Sequence, residues 1–280
     1  MTSKGPSLRR VPTAVAAVLI VVIIIVVIFP IYWMVSSSLS NRSQFTYPPQ
    51  FLPLPPSLDS YVDALTRFPL ARWFANTLIV ALGTTALALI VSIPAGLSLS
   101  RFRTPLNKGF GGFVLVTQMI PATLLVVPMY IIFARIGLLN QLPGLILANT
   151  AFAVPLATWM LRGFFDSIPV ELEEAARVDG CTHVGAFARI TVPLSAPGVA
   201  AVAVFCFLIA WGEFFFARTL VSSDTQWVLS LGLNSFQGQY TTAWSSMLAA
   251  AVLFTLPPVL FFVLVQRHLA SGLTSGAVKG

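Results

Sequence analysis

Residues 171–180 read ELEEAARVDG and concentrate the chain's charge. Glu171, Glu173, Glu174 and Asp179 are four of only nine acidic residues among 280, and Arg177 stands between them. Carboxylates serve catalysis when a nucleophile or base is within reach, and they serve a metal when His or Cys stand at ligand spacing. Neither company is present. No nucleophile–base pair is found, and no GxxxxGK[ST] phosphate loop occurs. His183 and His268 lie far apart and read as ordinary interfacial residues, so no metal site is expected. The chain is read as a non-enzyme that binds no cofactor itself.

The same stretch carries helix punctuation. Asp166 or Ser167 can cap its start, Pro169 suits a first turn, and Glu171, Glu173 and Glu174 favour the positive end of a helix dipole. Glu173 and Arg177 are four apart in the favourable order. Leu172, Ala175, Ala176 and Asp179 recur at helical spacing and form a narrow, small-residue face. Gly180 stops the helix as a C′ residue would. Thr182 can cap a second short helix carrying Val184, Phe187, Ala188, Ile190 and Thr191, which Pro193 ends. The pattern predicts helix, Gly elbow, helix.

The elements around this segment follow from composition. With 57% hydrophobic residues, 9% charged residues and a mean hydropathy of +0.88, a soluble globular domain is excluded. About 20 apolar residues cross a bilayer. Candidate crossings run from Val11 to Asn41, Trp73 to Ser100, Gly109 to Ala134, Ile136 to Leu161 (broken by Pro143 and Pro155), Ile190 to Gly212, and Trp244 to Gln266. A secretory signal is the rival for the first. Its apolar block continues without a small-residue cleavage site, and Tyr32 and Trp33 fall where an interfacial belt is expected, so a retained helix is preferred.

Six crossings put both termini on one side. Eleven Lys and Arg fall on that side against five on the other, which places the termini in the cytoplasm. The net charge of +7 thus reads as topology, and no nucleic-acid partner is expected. Cys181 falls in a cytoplasmic loop and Cys206 in a span, so no disulfide is expected. The outer loop from Ser36 to Arg72 contains TYPPQFLPLPP, which stays extended. The outer loop from about Arg218 to Thr242 reads as polar and glycine-containing. The segment from Arg162 to Pro197 is the largest inner feature.

Three readings of the acidic helix compete. A helix lying on the bilayer fails on sign, because the cytoplasmic leaflet is negative. A solvated loop and a docking helix both remain; the docking helix would present its Ala175–Ala176 face to a basic cleft on a protein partner. Glu213 lies about 24 Å along the fifth crossing, in its outer third. An ionisable residue there is a functional candidate, with Trp211 and Phe214 as stacking faces for a solute. The preferred reading is that it snorkels to the interface or meets a partner.

EAARVDG followed by nine residues and Ile190-Thr191-Val192-Pro193 resembles the EAA signature of ABC importer permeases, with Val192 in place of the usual Leu. SGLTSGAVKG at 271–280 is similar to the tail of carbohydrate-importer permeases of the maltose type, and WGEFFFA resembles their WNEF-like motif with Gly212 where Asn is usual. The resemblance implies an all-α polytopic permease of the type I importer class, with six transmembrane helices and a helix–Gly–helix cytoplasmic coupling loop. It implies a second permease subunit, two copies of an ABC ATPase that carry the ATP and Mg, and an external or periplasmic solute-binding protein. It assigns ATPase coupling to Glu173, Glu174, Ala175, Ala176, Asp179 and Gly180. Gly272, Thr274, Gly276, Lys279 and Gly280 would contact the ATPases as an extended tail. Asn234, Gln237, Gln239 and Tyr240 would face the binding protein.

The expected organisation is a cytoplasmic N-terminus at 1–10, a permease domain at 11–270 with its coupling loop at 166–193, and a tail at 271–280, in the cell membrane. The expected cargo is a di- or oligosaccharide or related glycosyl compound moving inward. Trp211, Glu213, Phe214, Gln118, Asn149 and Trp159 are the candidate path residues. An ion-coupled secondary transporter is the alternative; several intramembrane carboxylates and related halves would favour it. A permease for a non-sugar solute is the other.

Overall fold

The computed structural model describes residues 13–40, 51–102, 104–238 and 242–276. Gln239, Tyr240, Lys279 and Gly280 lie outside them. The described chain is helical, without an extended strand. In chain order the helices are α1 (Thr13–Ser38), α2 (Asp59–Arg67), α3 (Leu70–Arg101), α4 (Pro105–Thr117), α5 (Ala122–Arg135), α6 (Leu142–Asp166), α7 (Val170–Val178), α8 (His183–Ala186), α9 (Val192–Leu194), α10 (Ala196–Trp211), α11 (Phe215–Leu220), α12 (Leu229–Gly232) and α13 (Trp244–Gly276). A π-turn at Phe187–Thr191 joins α8 to α9. Four helices are long and apolar enough to cross a membrane: α1 from Ala17, α3, α6, and α13 to Gln266. The number reaches six when α4 with α5, and His183–Leu194 with α10, each count as one bent span. An uncovered apolar helix of this kind satisfies its backbone internally and has lipid as its solvent.

The chain divides into two compact units, residues 1–68 with 239–252 and residues 69–238 with 253–280. In the first, the Val- and Ile-rich run of α1 is exposed, while Ser36, Ser37 and Ser38 at its end are buried. Phe51 folds back onto its end: the hydroxyls of Tyr32 and Ser36 donate to the Phe51 carbonyl at 2.6 and 2.8 Å. The Pro-rich residues 51–56 are non-helical, as expected, but α2 follows them within the expected outer loop. Its Asp63–Arg67 pair, four apart at 3.3 Å, is the local signal for it.

The second unit is built on α3 and α6. Trp73, Thr77, Val80, Thr84, Ala88, Ser92, Gly96 and Leu99 are buried on α3, spaced three or four apart; Leu145, Asn149, Ala153, Ala157, Leu161 and Phe165 answer on α6. Small side chains let the backbones approach. A Cβ at Gly96 would lie 3.1 Å from both the Arg162 nitrogen and the Thr158 carbonyl oxygen. The Ser92 hydroxyl donates across the seam to the Val154 carbonyl at 3.2 Å. This is membrane-helix association by close packing and hydrogen bonds. Val202 and Cys206 bring α10 into the same core.

Three expected crossings differ in detail. The third is bent by 99° between α4 and α5, where Pro121 lacks an N–H and holds Ile120 away from helical geometry. The fourth begins at Leu142; Pro143 sits in its first turn and Pro155 inside a continuous helix, so neither breaks it. The fifth turns by 73° before α10. The loop from Arg218 to Thr242 is also more than polar linker. Val228, Leu229, Leu231 and Phe236 are buried, Asn76 donates to the Thr225 and Trp227 carbonyls, and the Trp73 indole donates to the Asp224 carbonyl. Polar composition masked this short apolar series.

Candidate functional site

The acidic stretch forms α7, held at one end of the second unit. Its start differs from expectation: α6 runs on to Asp166, Ser167 caps that helix at its C-terminus, and Pro169 occupies the N-cap position of α7 without a side-chain bond. Neither Asp166 nor Ser167 caps α7. Asp166 instead accepts from Ser100 at 2.6 Å and pairs with Arg162 at 3.4 Å.

The elbow forms as the sequence predicts. Gly180 has φ +93°. Its N–H donates to the Arg177 carbonyl and that of Cys181 to the Ala176 carbonyl, each at 3.0 Å. These two bonds make a Schellman motif, which closes a helix through a left-handed residue. Thr182 then caps α8 by accepting from the Gly185 N–H at 3.1 Å. Pro193 does not end this second helix, which continues through the π-turn to Leu194.

The faces of α7 divide its residues in a way their spacing did not show. Glu171, Glu174, Ala175, Arg177, Val178 and Asp179 are exposed, Val178 at 87%. Ala176 is buried, so the small-residue face is split between outside and inside. Glu173 also turns inward. Its partner is Arg101 at the end of α3, not Arg177: Arg101 Nε donates to Glu173 Oε1 at 2.8 Å, with the two side chains only 10% and 16% exposed. Thr191, wholly buried in the π-turn, donates its hydroxyl to the same oxygen at 2.7 Å. The rest of the Arg101 fork donates to the Phe165 and Ile168 carbonyls at 3.0 and 3.1 Å, one in the last turn of α6 and the other within the α6–α7 elbow. Arg101 is not among the residues that the sequence singles out as functional. An Arg closing a long apolar helix is the available signal, but nothing local names its partner.

The expected path residues are not brought together. The Trp211 indole is buried, stacks between Phe207 and Phe254 with ring centroids 5.3 Å from each, and donates to the Phe254 carbonyl. Asn149 is 2% exposed and donates to Leu145 in its own helix. Glu213 accepts from the Phe216 and Ala217 N–H groups at 2.6 and 3.0 Å, so its carboxylate serves the N-terminus of α11. Phe214 packs against the cluster around Phe216. Trp159 lies beneath Arg162, whose guanidinium carbon is 4.7 Å from the ring centroid; its buried Nε1 has no partner among the described residues. Gln118 alone is exposed beside open space, a cleft of about 310 Å³ at the α4–α5 bend walled by Met129, Phe133, Phe152 and Pro155.

Asn234 and Gln237 are exposed. Gly272, Thr274 and Gly276 lie on the helical backbone of α13, which corrects the expectation of an extended tail to that point. No group of three or more His, Cys, Asp or Glu that could hold a metal occurs among the described residues.

Comparison with known proteins matches residues 92–275 to the family described as binding-protein-dependent transport system inner membrane component. The chain is 35% identical to the sulfoquinovosyl glycerol transport system permease protein of Agrobacterium fabrum, over 90% of this chain and 89% of that one. It is 33% identical to the trehalose transport system permease protein of Mycobacterium tuberculosis, over 94% and 97%. Its fold is similar to that of a chain in the crystal structure of a bacterial ABC transporter involved in import of the acidic polysaccharide alginate. That match has a TM-score of 0.81, with 22% identity over 95% of this chain and 99% of that one.

Proposed function

This chain belongs to the family of binding-protein-dependent transport system inner membrane components, and on that premise we propose that it is the membrane subunit through which an ATP-driven importer admits a sugar or related glycosyl compound. The observation that carries the reading is its near full-length likeness to permeases of a trehalose and a sulfoquinovosyl glycerol system. The outward face of α7 supports the mechanism. Glu174, Ala175, Val178 and Asp179 offer an acidic edge beside a small apolar patch, suited to a basic-rimmed groove on an ATPase. ATP and Mg belong to two such partners. Their closure pushes α7 and tilts the packed helices α3, α6 and α10 about a path shared with a second permease, a rigid-body gate.

The termini are placed in the cytoplasm by the distribution of basic residues, and α7 lies on the same side. Contact with the ATPases is assigned to the end of α13 at Gly272, Thr274 and Gly276, and with it to Lys279 and Gly280. Contact with a solute-binding protein is assigned to the exposed Asn234 and Gln237, and with them to Gln239 and Tyr240. Of the path residues, Gln118 is the one exposed enough to meet a solute, with its amide donating to the Phe152 carbonyl at 3.4 Å. Proteoliposomes holding this chain, its partner permease, the ATPase and the binding protein accumulate trehalose or a sulfoquinovosyl glycoside only when ATP is supplied inside. Accumulation of amino acids or inorganic anions instead would defeat the substrate class, and absence of an associated ATPase would defeat the importer reading.

A further inference from the structure

Glu173 stands beside Glu174 in the acidic stretch, yet the two face opposite ways. Glu174 is exposed, while Glu173 is drawn inward by two donors from different elements. One donor, Arg101, closes α3 and also grips the Phe165 carbonyl in the last turn of α6 and the Ile168 carbonyl in the α6–α7 elbow. The other, Thr191, lies in the π-turn that leads through α9 into α10. One carboxylate oxygen therefore joins α7 to the ends of the three helices that form the core of the second unit. Without it, α7 would be tied to the bundle by the three-residue elbow at 167–169, the Gly180 turn and the buried side chain of Ala176.

We propose that Glu173 is a positioning residue for energy coupling: with Arg101 and Thr191 it pins α7 to α3, α6 and α10, so that a push on α7 moves the three together. The proposal rests on the importer reading above and removes Glu173 from the surface that meets the ATPase. The π-turn fits this role. Its wider winding, bonded from Val192 N–H back to the Phe187 carbonyl, sets the buried Thr191 hydroxyl toward α7, and such turns recur at functional positions. Thr191 has no exposed surface, so a coupling defect at that position cannot come from a lost contact with a partner.

The test uses the complete complex in proteoliposomes, with two readouts: ATPase retained per permease, and sugar accumulated per ATP hydrolysed. The sugar is trehalose or a sulfoquinovosyl glycoside, whichever the unaltered complex accumulates. Glu173→Ala and Thr191→Val retain the ATPase while sugar moved per ATP falls about tenfold, within the range of coupling between distinct sites. Thr191→Ser, which restores the hydroxyl, recovers most of that loss. Loss of the ATPase from Glu173→Ala, to the extent seen with Glu174→Lys, would overturn the proposal in favour of direct docking. An unchanged ratio in Thr191→Val, or equal loss in Thr191→Ser, would overturn it as well. Should Glu173→Ala fail to insert, the Thr191 pair decides alone. An unaltered complex that neither retains an ATPase nor accumulates sugar strikes the importer reading itself.

Discussion

Gly232 lies so close to the indole of Trp73 that a Cβ built on it would overlap the six-membered ring. The contact joins α12 to the start of α3. Trp73 is held by its bond to the Asp224 carbonyl and is almost wholly buried, so the ring has little room to yield. Gly232→Ala should therefore cost about 1–3 kcal/mol, the usual penalty for overpacking. Thermal unfolding in detergent should show a lower midpoint. Gly163→Ala is the control, since nothing lies within 4 Å of a Cβ there; a helical Gly replaced by Ala should be neutral or gain up to about 1 kcal/mol.

Arg101 and Glu173 should be strongly coupled in stability. Removing the guanidinium leaves a poorly hydrated carboxylate and frees the Phe165 and Ile168 carbonyls, so Arg101→Ala should cost about 3 kcal/mol, the lower end for a broken buried pair. Glu173→Ala should cost less, because Arg101 keeps those two carbonyls. In a double-mutant cycle the paired change should fall short of the sum by about 1–3 kcal/mol. A sum within error of additivity would show that the pair contributes nothing to stability.

At Gly180 the constraint is conformation rather than space. No atom lies within 4 Å of a Cβ there, but φ is +93°. Gly180→Ala and Gly180→Val should each add strain of about 1–2 kcal/mol, change the direction in which α7 is presented and reduce ATPase retention in the complex. Gly180→Asn should behave closer to the parent, since Asn tolerates a left-handed C′ position. Equal behaviour of the Ala, Val and Asn variants would contradict the elbow's role.

The two alanines of the acidic helix should separate by face. Ala175→Leu enlarges the exposed side and should weaken ATPase retention without lowering the permease's melting temperature. Ala176→Leu enlarges the buried side and should lower the melting temperature first. Glu174→Lys and Val178→Asp belong with Ala175→Leu, since both change the outward surface. Quantifying the ATPase recovered with each purified variant checks the assignment.

Much of this architecture was legible because its causes are local. The spans read from apolar run length, and the Gly180 elbow and Thr182 cap read from residues whose backbone preferences act within a turn. The bend at Pro121 was not anticipated, because a proline inside an apolar run can also be carried straight, as Pro155 is in α6. The path residues were chosen for side-chain chemistry. Trp211, Asn149 and Glu213 spend that chemistry on neighbouring backbone groups, a use that composition cannot distinguish from ligand binding.

By itself the sequence determined that the chain lives in a bilayer and that an acidic helix ends in a left-handed turn. Long apolar helices have no other solvent that suits them, and a glycine at a helix end meets no competing local demand. Only the tertiary structure decided what Glu173 does. Arg177 was within reach one turn away, but Arg101, 72 residues distant, is oriented by two carbonyls and shares its target with a buried hydroxyl. That choice depends on where the end of α3 comes to rest beside α7, a position set by the packing of α3 on α6 and by nothing within the acidic stretch.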